Sequence, residues 1–317
     1  MRRVERVDFA VVGAGIAGAS AAFELSLHGS VQVLEAEATP GYHTTGRSAA
    51  MFTEAYESGI VRRLTMASRP FLEQPPEGFT DHPLLSPRPV LFVGRDDQRE
   101  AVEALARDIA AWGPEIQVLE GDQIPDVCPV LRPDYASLAL FEPGSYELDV
   151  HGLHQGFLRG ARSRGARIRT GALVSGLRRL GSGWWIQTGS EEIHAAVVVN
   201  AAGAWCDVVG GLAGARPLGI QPMRRTAFTF PCPEGIDCRT LPFVDDVGEQ
   251  WYFKPEGAGL LGSLSEETPM EPHDVRHEER DVALAIERIG RAVTFPIRHV
   301  GKAWAGLSHR GGAGRTD

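Results

Sequence analysis

The strongest chemical signal in the chain is a set of three glycines at fixed spacing, Gly13-Ala14-Gly15-Ile16-Ala17-Gly18, which reads GxGxxG. It follows the apolar run Val7-Asp8-Phe9-Ala10-Val11-Val12 and opens an alanine-rich stretch, residues 16–27, whose composition predicts a helix. In such a turn Gly13 permits the sharp bend, Gly15 lets backbone approach a pyrophosphate, and Gly18 lets the helix pack closely on the strand. Ile16, Ala17 and Gly18 would then present free N–H groups, at the positive end of the helix, to an anion. Residues 31–35 form a second apolar strand ending in Glu35, an acid twenty residues beyond Gly15, where a carboxylate accepts hydrogen bonds from ribose hydroxyls. The chemistry implied is dinucleotide binding. A glycine-rich turn that binds nothing is the weaker alternative, because the motif lies between a strand and a helix with its acid in place.

Other candidates depend on context. Thr44-Thr45-Gly46-Arg47-Ser48 combines hydroxyls, glycine and arginine, which suits a phosphate or a ring edge and equally suits a loop that satisfies its own backbone. Asn200-Ala201-Ala202-Gly203-Ala204-Trp205 ends a valine run in small residues that would admit a bulky cofactor. His151 and His154 could form half a metal site on a helix, but no third ligand is near, and two ordinary histidines are the better reading.

These residues need strands and helices to position them. The uninterrupted Val197-Val198-Val199 run predicts a strand buried on both faces, as in a parallel sheet. Residues 172–179 and 184–188 predict further strands, and residues 60–73 a helix. The prolines between Pro75 and Pro89 mark a passage between sub-domains. Val90-Leu91-Phe92-Val93 is a strand, and Val102, Leu105, Ile109 and Trp112 recur at helical spacing. Asp149 is placed to cap a helix running to Ser163. Across residues 221–231, Arg225, Ala227 and Thr229 share one face while Thr226, Phe228 and Phe230 share the other. Tyr252 likewise faces away from Trp251 and Phe253. Val282, Ile286, Ile289 and Val293 predict a last helix, and residues 294–298 a strand.

Composition sets limits. A chain of 317 residues with 43% hydrophobic content can bury a sizeable core, as one large α/β domain or two sub-domains. Net charge is −9 with no basic block, which argues against nucleic acid as a partner. No apolar run approaches the roughly 20 residues of a membrane span. Cys128, Cys206, Cys232 and Cys238 contain no CxxC pair and follow no signal sequence, so reduced thiols and a cytoplasmic location are expected.

Several longer strings together resemble the flavin-dependent D-amino-acid oxidase and glycine oxidase family, and within it the bacterial D-arginine dehydrogenases. They are Val11-Val12-Gly13-Ala14-Gly15-Ile16-Ala17-Gly18-Ala19-Ser20, Gly46-Arg47-Ser48-Ala49-Ala50, His82-Pro83-Leu84-Leu85-Ser86-Pro87-Arg88-Pro89, His154-Gln155-Gly156, Val199-Asn200-Ala201-Ala202-Gly203-Ala204-Trp205-Cys206-Asp207 and Trp304-Ala305-Gly306-Leu307. The resemblance implies an α/β fold: an FAD-binding Rossmann-type domain (residues 1–85 and 147–218) plus an α+β substrate domain with an antiparallel sheet (86–146 and 219–307). It implies FAD as cofactor, held by Gly13, Gly15, Ile16, Ala17, Gly18, Glu35, Ala36, Thr45, Gly46, Arg47, Ser48, Ala49, Ala50, Val174, Ala201, Ala202, Gly203 and Trp205. It implies oxidation of a D-amino acid to an imino acid by hydride transfer to the flavin. Arg225 would hold the substrate carboxylate and Tyr252 would bond beside it; Tyr56 would belong to a lid and Thr53 would lie near the reacting carbon.

Two positions depart from the D-arginine dehydrogenases. Val90 stands where they carry an acid for the guanidinium, and Met51 where they carry a histidine, which implies a preference for apolar or small D-amino acids. A secondary amine or a 2-hydroxy acid is the alternative substrate, and no motif marks the electron acceptor, oxygen or a quinone. The family also continues beyond Leu307 with a second arginine, a strand, a turn and a helix. Residues 308–317 lack apolar periodicity, which predicts an unstructured tail on a truncated chain, with an inactive fragment as the alternative to an active enzyme.

Overall fold

The computed structural model describes residues 5–56 and 59–310. The nucleotide motif folds as its spacing predicts. Strand β1 (Glu5–Val12), helix α1 (Ile16–Leu25) and strand β2 (Val31–Leu34) follow one another, and the two strands pair in parallel. They lie within a six-stranded sheet ordered Val174–Leu180, Gly183–Thr188, Glu191–Asn200, β1, β2, Arg167–Arg169. Helix α1 and the helix Val150–Ser163 cover one face, where Val11, Ala14, Ala22, Val33 and Ala161 form a shared core. Asp149 caps the second helix by accepting a hydrogen bond from the Gly152 N–H at 2.8 Å.

A nine-stranded sheet forms the other half of the molecule. Its order is Thr268–Pro269, Gln221–Pro231, Gly259–Ser263, Tyr252–Glu256, Phe243–Asp246, Val90–Gly94, Leu138–Glu142, Gln117–Glu120, with Ala303–Arg310 paired along Gln221–Pro231. It is antiparallel except where Phe243–Asp246 runs parallel to Val90–Gly94. Alternation along Gln221–Pro231 is as the sequence predicts: Phe228 and Phe230 enter the main core with Trp251, Phe253 and Ile289, beneath the helix Glu279–Ala292. Arg225 faces the other way. Arg224, next to it and opposite in face, is buried and ion-paired with Glu278 and, at 2.7 Å, with Asp281.

Four expectations are corrected. Ser308, His309 and Arg310 are not tail but the end of a strand, paired with Met223, Pro222 and Gln221. The ladder of the neighbouring strand supplies the order that apolar periodicity did not signal; residues 311–317 lie outside those described. Residues 294–298 are not a strand. Pro296 removes a donor, and Phe295 and Ile297 pack on the core without a ladder. The valine run is not buried on both faces, since Val197 is 45% exposed although its strand is bordered by two others in the sheet. Cys232 and Cys238 form a disulfide rather than two free thiols, because the turn between them brings their Cα atoms to 5.9 Å without a CxxC spacing. Cys128 and Cys206 are free.

Candidate active site

The turn between β1 and α1 is built from close contacts. Gly13 adopts φ +99°, and a Cβ there would stand 2.4 Å from the Ala201 carbonyl oxygen. At Gly18 a Cβ would stand 1.9 Å from the Gly13 carbonyl oxygen, so only glycine lets helix and strand approach this closely. Glu35 is nearly buried; one carboxylate oxygen accepts from the Ala14 N–H at 2.7 Å and the other from the Glu37 N–H at 2.9 Å. The acid therefore fixes the turn itself and retains lone pairs for further donors. His154 Nε2 lies 2.8 Å from the Ala14 carbonyl oxygen and, as the donor, holds the turn from below. Burial lowers the His154 pKa, the Ala14 bond partly opposing it, which keeps the ring neutral.

Helix α1 starts from Gly15, which has no side chain to cap it, and carries no acid in its first turn. Its Ile16 N–H donates to Thr45 Oγ1 at 3.0 Å. A cavity of about 400 Å³ opens in front of it, lined by Gly13, Gly15, Glu35, Ala36, Thr45, Val174, Ala201, Ala202, Gly203 and Trp205 among others. Ile16, Ala17 and Gly18 belong to the first turn of the helix and are not among the lining residues. Glu37, Tyr42 and His43 also line the cavity and carried no signal in the sequence. The arrangement fits the adenosine and pyrophosphate portion of FAD: a positive helix end whose capping residue is glycine, glycines instead of side chains in the turn, and an oriented carboxylate.

The loop at residues 44–50 separates this cavity from two more. Thr44 lines both the first and a second cavity of about 350 Å³. Gly46 and Ala50 line a third, of about 460 Å³, beside His151, His154 and Lys254; the buried Lys254 ammonium is held by Glu147 at 2.6 Å and Glu256 at 2.7 Å. Ala50 is held in a left-handed conformation, φ 58°, with its carbonyl accepting from the Leu148 N–H. The Arg47 guanidinium is engaged by protein groups. It pairs with Asp274 at 2.6 Å and donates to the Ala305 carbonyl at 3.0 Å, which with Thr44 Oγ1 on the Leu307 carbonyl ties the loop to the strand Ala303–Arg310.

The second cavity gathers six residues from four separate stretches of the sequence, namely Met51, Thr53 and Tyr56, then Val90, Arg225 and Tyr252, joined by Arg47, Ser48 and Ala49 from the loop. Arg225 pairs with Glu267 at 2.7 Å. Burial opposes its charge, but Tyr56, Glu267 and Tyr252 outweigh this and raise its pKa, so it remains a cation. Burial likewise raises the Tyr252 phenol, opposed by Ser263, and keeps it a hydrogen-bond donor. Thr53 donates its proton to the fully buried Glu142 at 2.6 Å and accepts from the Ala55 N–H at 3.3 Å, which leaves its oxygen one further lone pair as an acceptor.

Sequence reasoning missed the acids of this cavity. Asp245 and Glu249 line it with Phe92, Phe243 and Ser265. The available signal was that Asp245 alternates with Phe243 along Phe243-Val244-Asp245-Asp246, and so shares its face. Among the described residues, no group of His, Cys, Asp or Glu is placed to hold a metal, and no helix is long and apolar enough to cross a membrane.

Comparison with known proteins agrees with this geometry. The profile described as "FAD dependent oxidoreductase" (DAO) matches residues 8–314. Mitochondrial dimethylglycine dehydrogenase of Rattus norvegicus is 30% identical over 150 residues, covering 46% of this chain and 17% of that protein, so the match spans less than a fifth of the relative's length. In fold, the chain is similar to glycine oxidase from Geobacillus kaustophilus, with TM-score 0.83, 21% identity, and 98% of this chain and 85% of the other covered. It is also similar to L-alpha-glycerophosphate oxidase from Mycoplasma pneumoniae with FAD bound, with TM-score 0.85, 19% identity and the same coverage, 98% and 85%.

Proposed function

Because the chain belongs to the family of FAD-dependent oxidoreductases, we propose that it oxidises the CH–NH2 group of a small D-amino acid to an imino acid, which water converts to a 2-oxo acid and ammonia. One observation carries this reading: a cavity of about 350 Å³, a size suited to a small molecule, whose lining combines an arginine and two tyrosines with the apolar side chains of Met51, Val90, Phe92 and Phe243.

Arg225 binds the substrate carboxylate, its planar fork offering two parallel donors. Tyr252, held protonated, donates beside it, and Tyr56 closes the same end. Thr53, its own proton committed to Glu142, accepts a hydrogen from the substrate amine. Val90, Phe92, Phe243 and Met51 receive the substrate side chain and exclude water, which favours apolar or small side chains. Val90 itself offers a guanidinium no partner, and one placed there would have to reach Asp245 or Glu249 to regain the bonds it loses with water. FAD, when bound, supplies the two-electron acceptor for the substrate α-hydrogen.

A second reading has one observation in its favour. The likeness to dimethylglycine dehydrogenase supports a methylated amine in place of the primary amine. Anaerobic mixing of the FAD-loaded protein with D-alanine, D-methionine, D-leucine, D-arginine, their L-forms, sarcosine, dimethylglycine and 2-hydroxy acids separates these. Bleaching of the flavin absorbance fastest with apolar D-amino acids is expected; bleaching only by sarcosine and dimethylglycine selects the second reading, and fastest bleaching by D-arginine or a 2-hydroxy acid refutes the first.

A further inference from the structure

We propose that Asp245 is the proton acceptor that converts the substrate's α-ammonium to the free amine before the α-hydrogen departs. The proposal rests on the amino-acid reading of the cavity and adds to it a residue with a chemical role.

Amino acids enter in the ammonium form at neutral pH, and an ammonium has no lone pair to form the C=N bond. Loss of one proton must come first. Asp245 stands where that proton would be received. It lies directly opposite Tyr252 in the pairing of Phe243–Asp246 with Tyr252–Glu256, and directly opposed residues project from the same face of a sheet. Both side chains line the cavity with Arg225. The α-nitrogen of an amino acid is only two bonds from the carboxylate carbon, so a carboxylate held by Arg225 and Tyr252 brings the ammonium to the adjacent acid.

The Asp245 carboxyl forms no hydrogen bond or ion pair with any described residue. It is enclosed by protein, and its remaining open surface is toward the cavity. The buried acids Glu142 and Asp281, by contrast, each have a donor in the protein. Burial pushes the Asp245 pKa well above the carboxylate range, Glu249 and Asp246 raise it further, and Arg225 opposes them. The other packed elements bring Tyr252, itself raised by burial, from the strand beside it and the apolar Val90 and Phe92 from the strand on its other side. A base of raised pKa takes an ammonium proton with a smaller energy gap than an ordinary carboxylate.

The step balances without a co-reactant. The N–H bond of the ammonium breaks, its electron pair stays on nitrogen, and the proton forms an O–H bond on Asp245, turning –NH3+ and –COO− into –NH2 and –COOH. The acid later returns the proton to solvent.

The test compares wild type and Asp245→Asn, a near-isosteric neutral change, with FAD bound. Rates of flavin bleaching by D-methionine are followed across pH. In the variant the rate is expected to fall about 10²-fold at neutral pH and to recover toward wild type as pH rises through the ammonium's own ionisation. A binding readout accompanies it. Propanoate affinity is expected to fall with rising pH in wild type, as Asp245 ionises and repels the carboxylate, and to lose that dependence in the variant. Parallel pH profiles for the two proteins overturn the proposal while leaving the amino-acid reading intact. Failure of any amino acid to bleach wild type at any pH overturns both.

Discussion

Replacing Glu35 with glutamine tests the nucleotide turn at its most determined point. The carboxylate accepts two backbone N–H bonds, from Ala14 at 2.7 Å and from Glu37 at 2.9 Å. An amide has one acceptor oxygen and one donor nitrogen, so in either orientation an N–H is set against an NH2. One charge-assisted bond is lost at a nearly buried site, which costs about 1.5–3 kcal/mol. Both bonds exist without cofactor, so the loss falls first on stability: the melting temperature of the cofactor-free protein is expected to drop by about 2–4 °C per kcal/mol lost. The same carboxylate is positioned to receive ribose hydroxyls, and losing one such bond weakens FAD binding by a further 10- to 100-fold, about 1.4–2.8 kcal/mol. Thermal unfolding with and without FAD, together with flavin-fluorescence titration, separates the two effects. Glu35→Gln protein that melts and binds FAD as wild type does would refute the assignment of both roles to this side chain.

Three further outcomes follow from the geometry. Arg225→Lys keeps a cation opposite Glu267 but loses the planar fork, so the KM for the amino acid is expected to rise about 10- to 100-fold with little change in melting temperature; an unchanged KM in steady-state assays removes Arg225 from the carboxylate site. The His154 pKa is lowered in the fold by burial, so below its ordinary value of about 6.5 the unfolded chain takes up the proton more readily. Stability is therefore full above that pH and falls as pH drops through it toward the folded value. Urea unfolding at several pH values should show this slope, and His154→Gln should lose it. In thiol labelling of the native, non-reduced protein only half-buried Cys206 is expected to react, because Cys232 and Cys238 are joined and burial pushes the Cys128 thiol up to about 12; labelling of three or four cysteines would contradict the disulfide.

Much of the nucleotide half was legible in the sequence because its constraints are local. Gly13, Gly15, Gly18 and Glu35 act within one strand–turn–helix–strand unit, and their spacing alone sets their geometry. Alternation also placed Arg225 and Tyr252 away from the core, since a strand's period of two needs no tertiary knowledge. The fate of Arg47 was not legible: its partners, Asp274 and Ala305, lie more than two hundred residues away and belong to no motif. Asp245 was missed for a similar reason. Only the parallel pairing of its strand with Val90–Gly94 shows that it borders the same space as Val90. The strand at Ser308–Arg310 escaped because its order derives from Gln221–Met223, not from its own composition.

The neighbouring arginines of the strand Gln221–Pro231 have a consequence for how the sheet assembles. Arg224 and Arg225 point to opposite faces, the first to Glu278 and Asp281 beneath the sheet and the second, which lines the cavity, to Glu267. A slip of one residue along the neighbouring strands would turn Arg225 toward the core and put Thr226 or Arg224 at the substrate end. Slipped one way, Met223 would face the acids below the sheet and leave the buried Asp281 charged without a partner, a state costing about 3–5 kcal/mol; slipped the other way, Arg225 would stand over them and Thr226 would leave the cavity without its cation. The pair beneath the sheet thus acts as a key to the alignment of the strand above it, and a mutation at Asp281, far from the cavity, would be felt as misassembly of the site before any change in its chemistry.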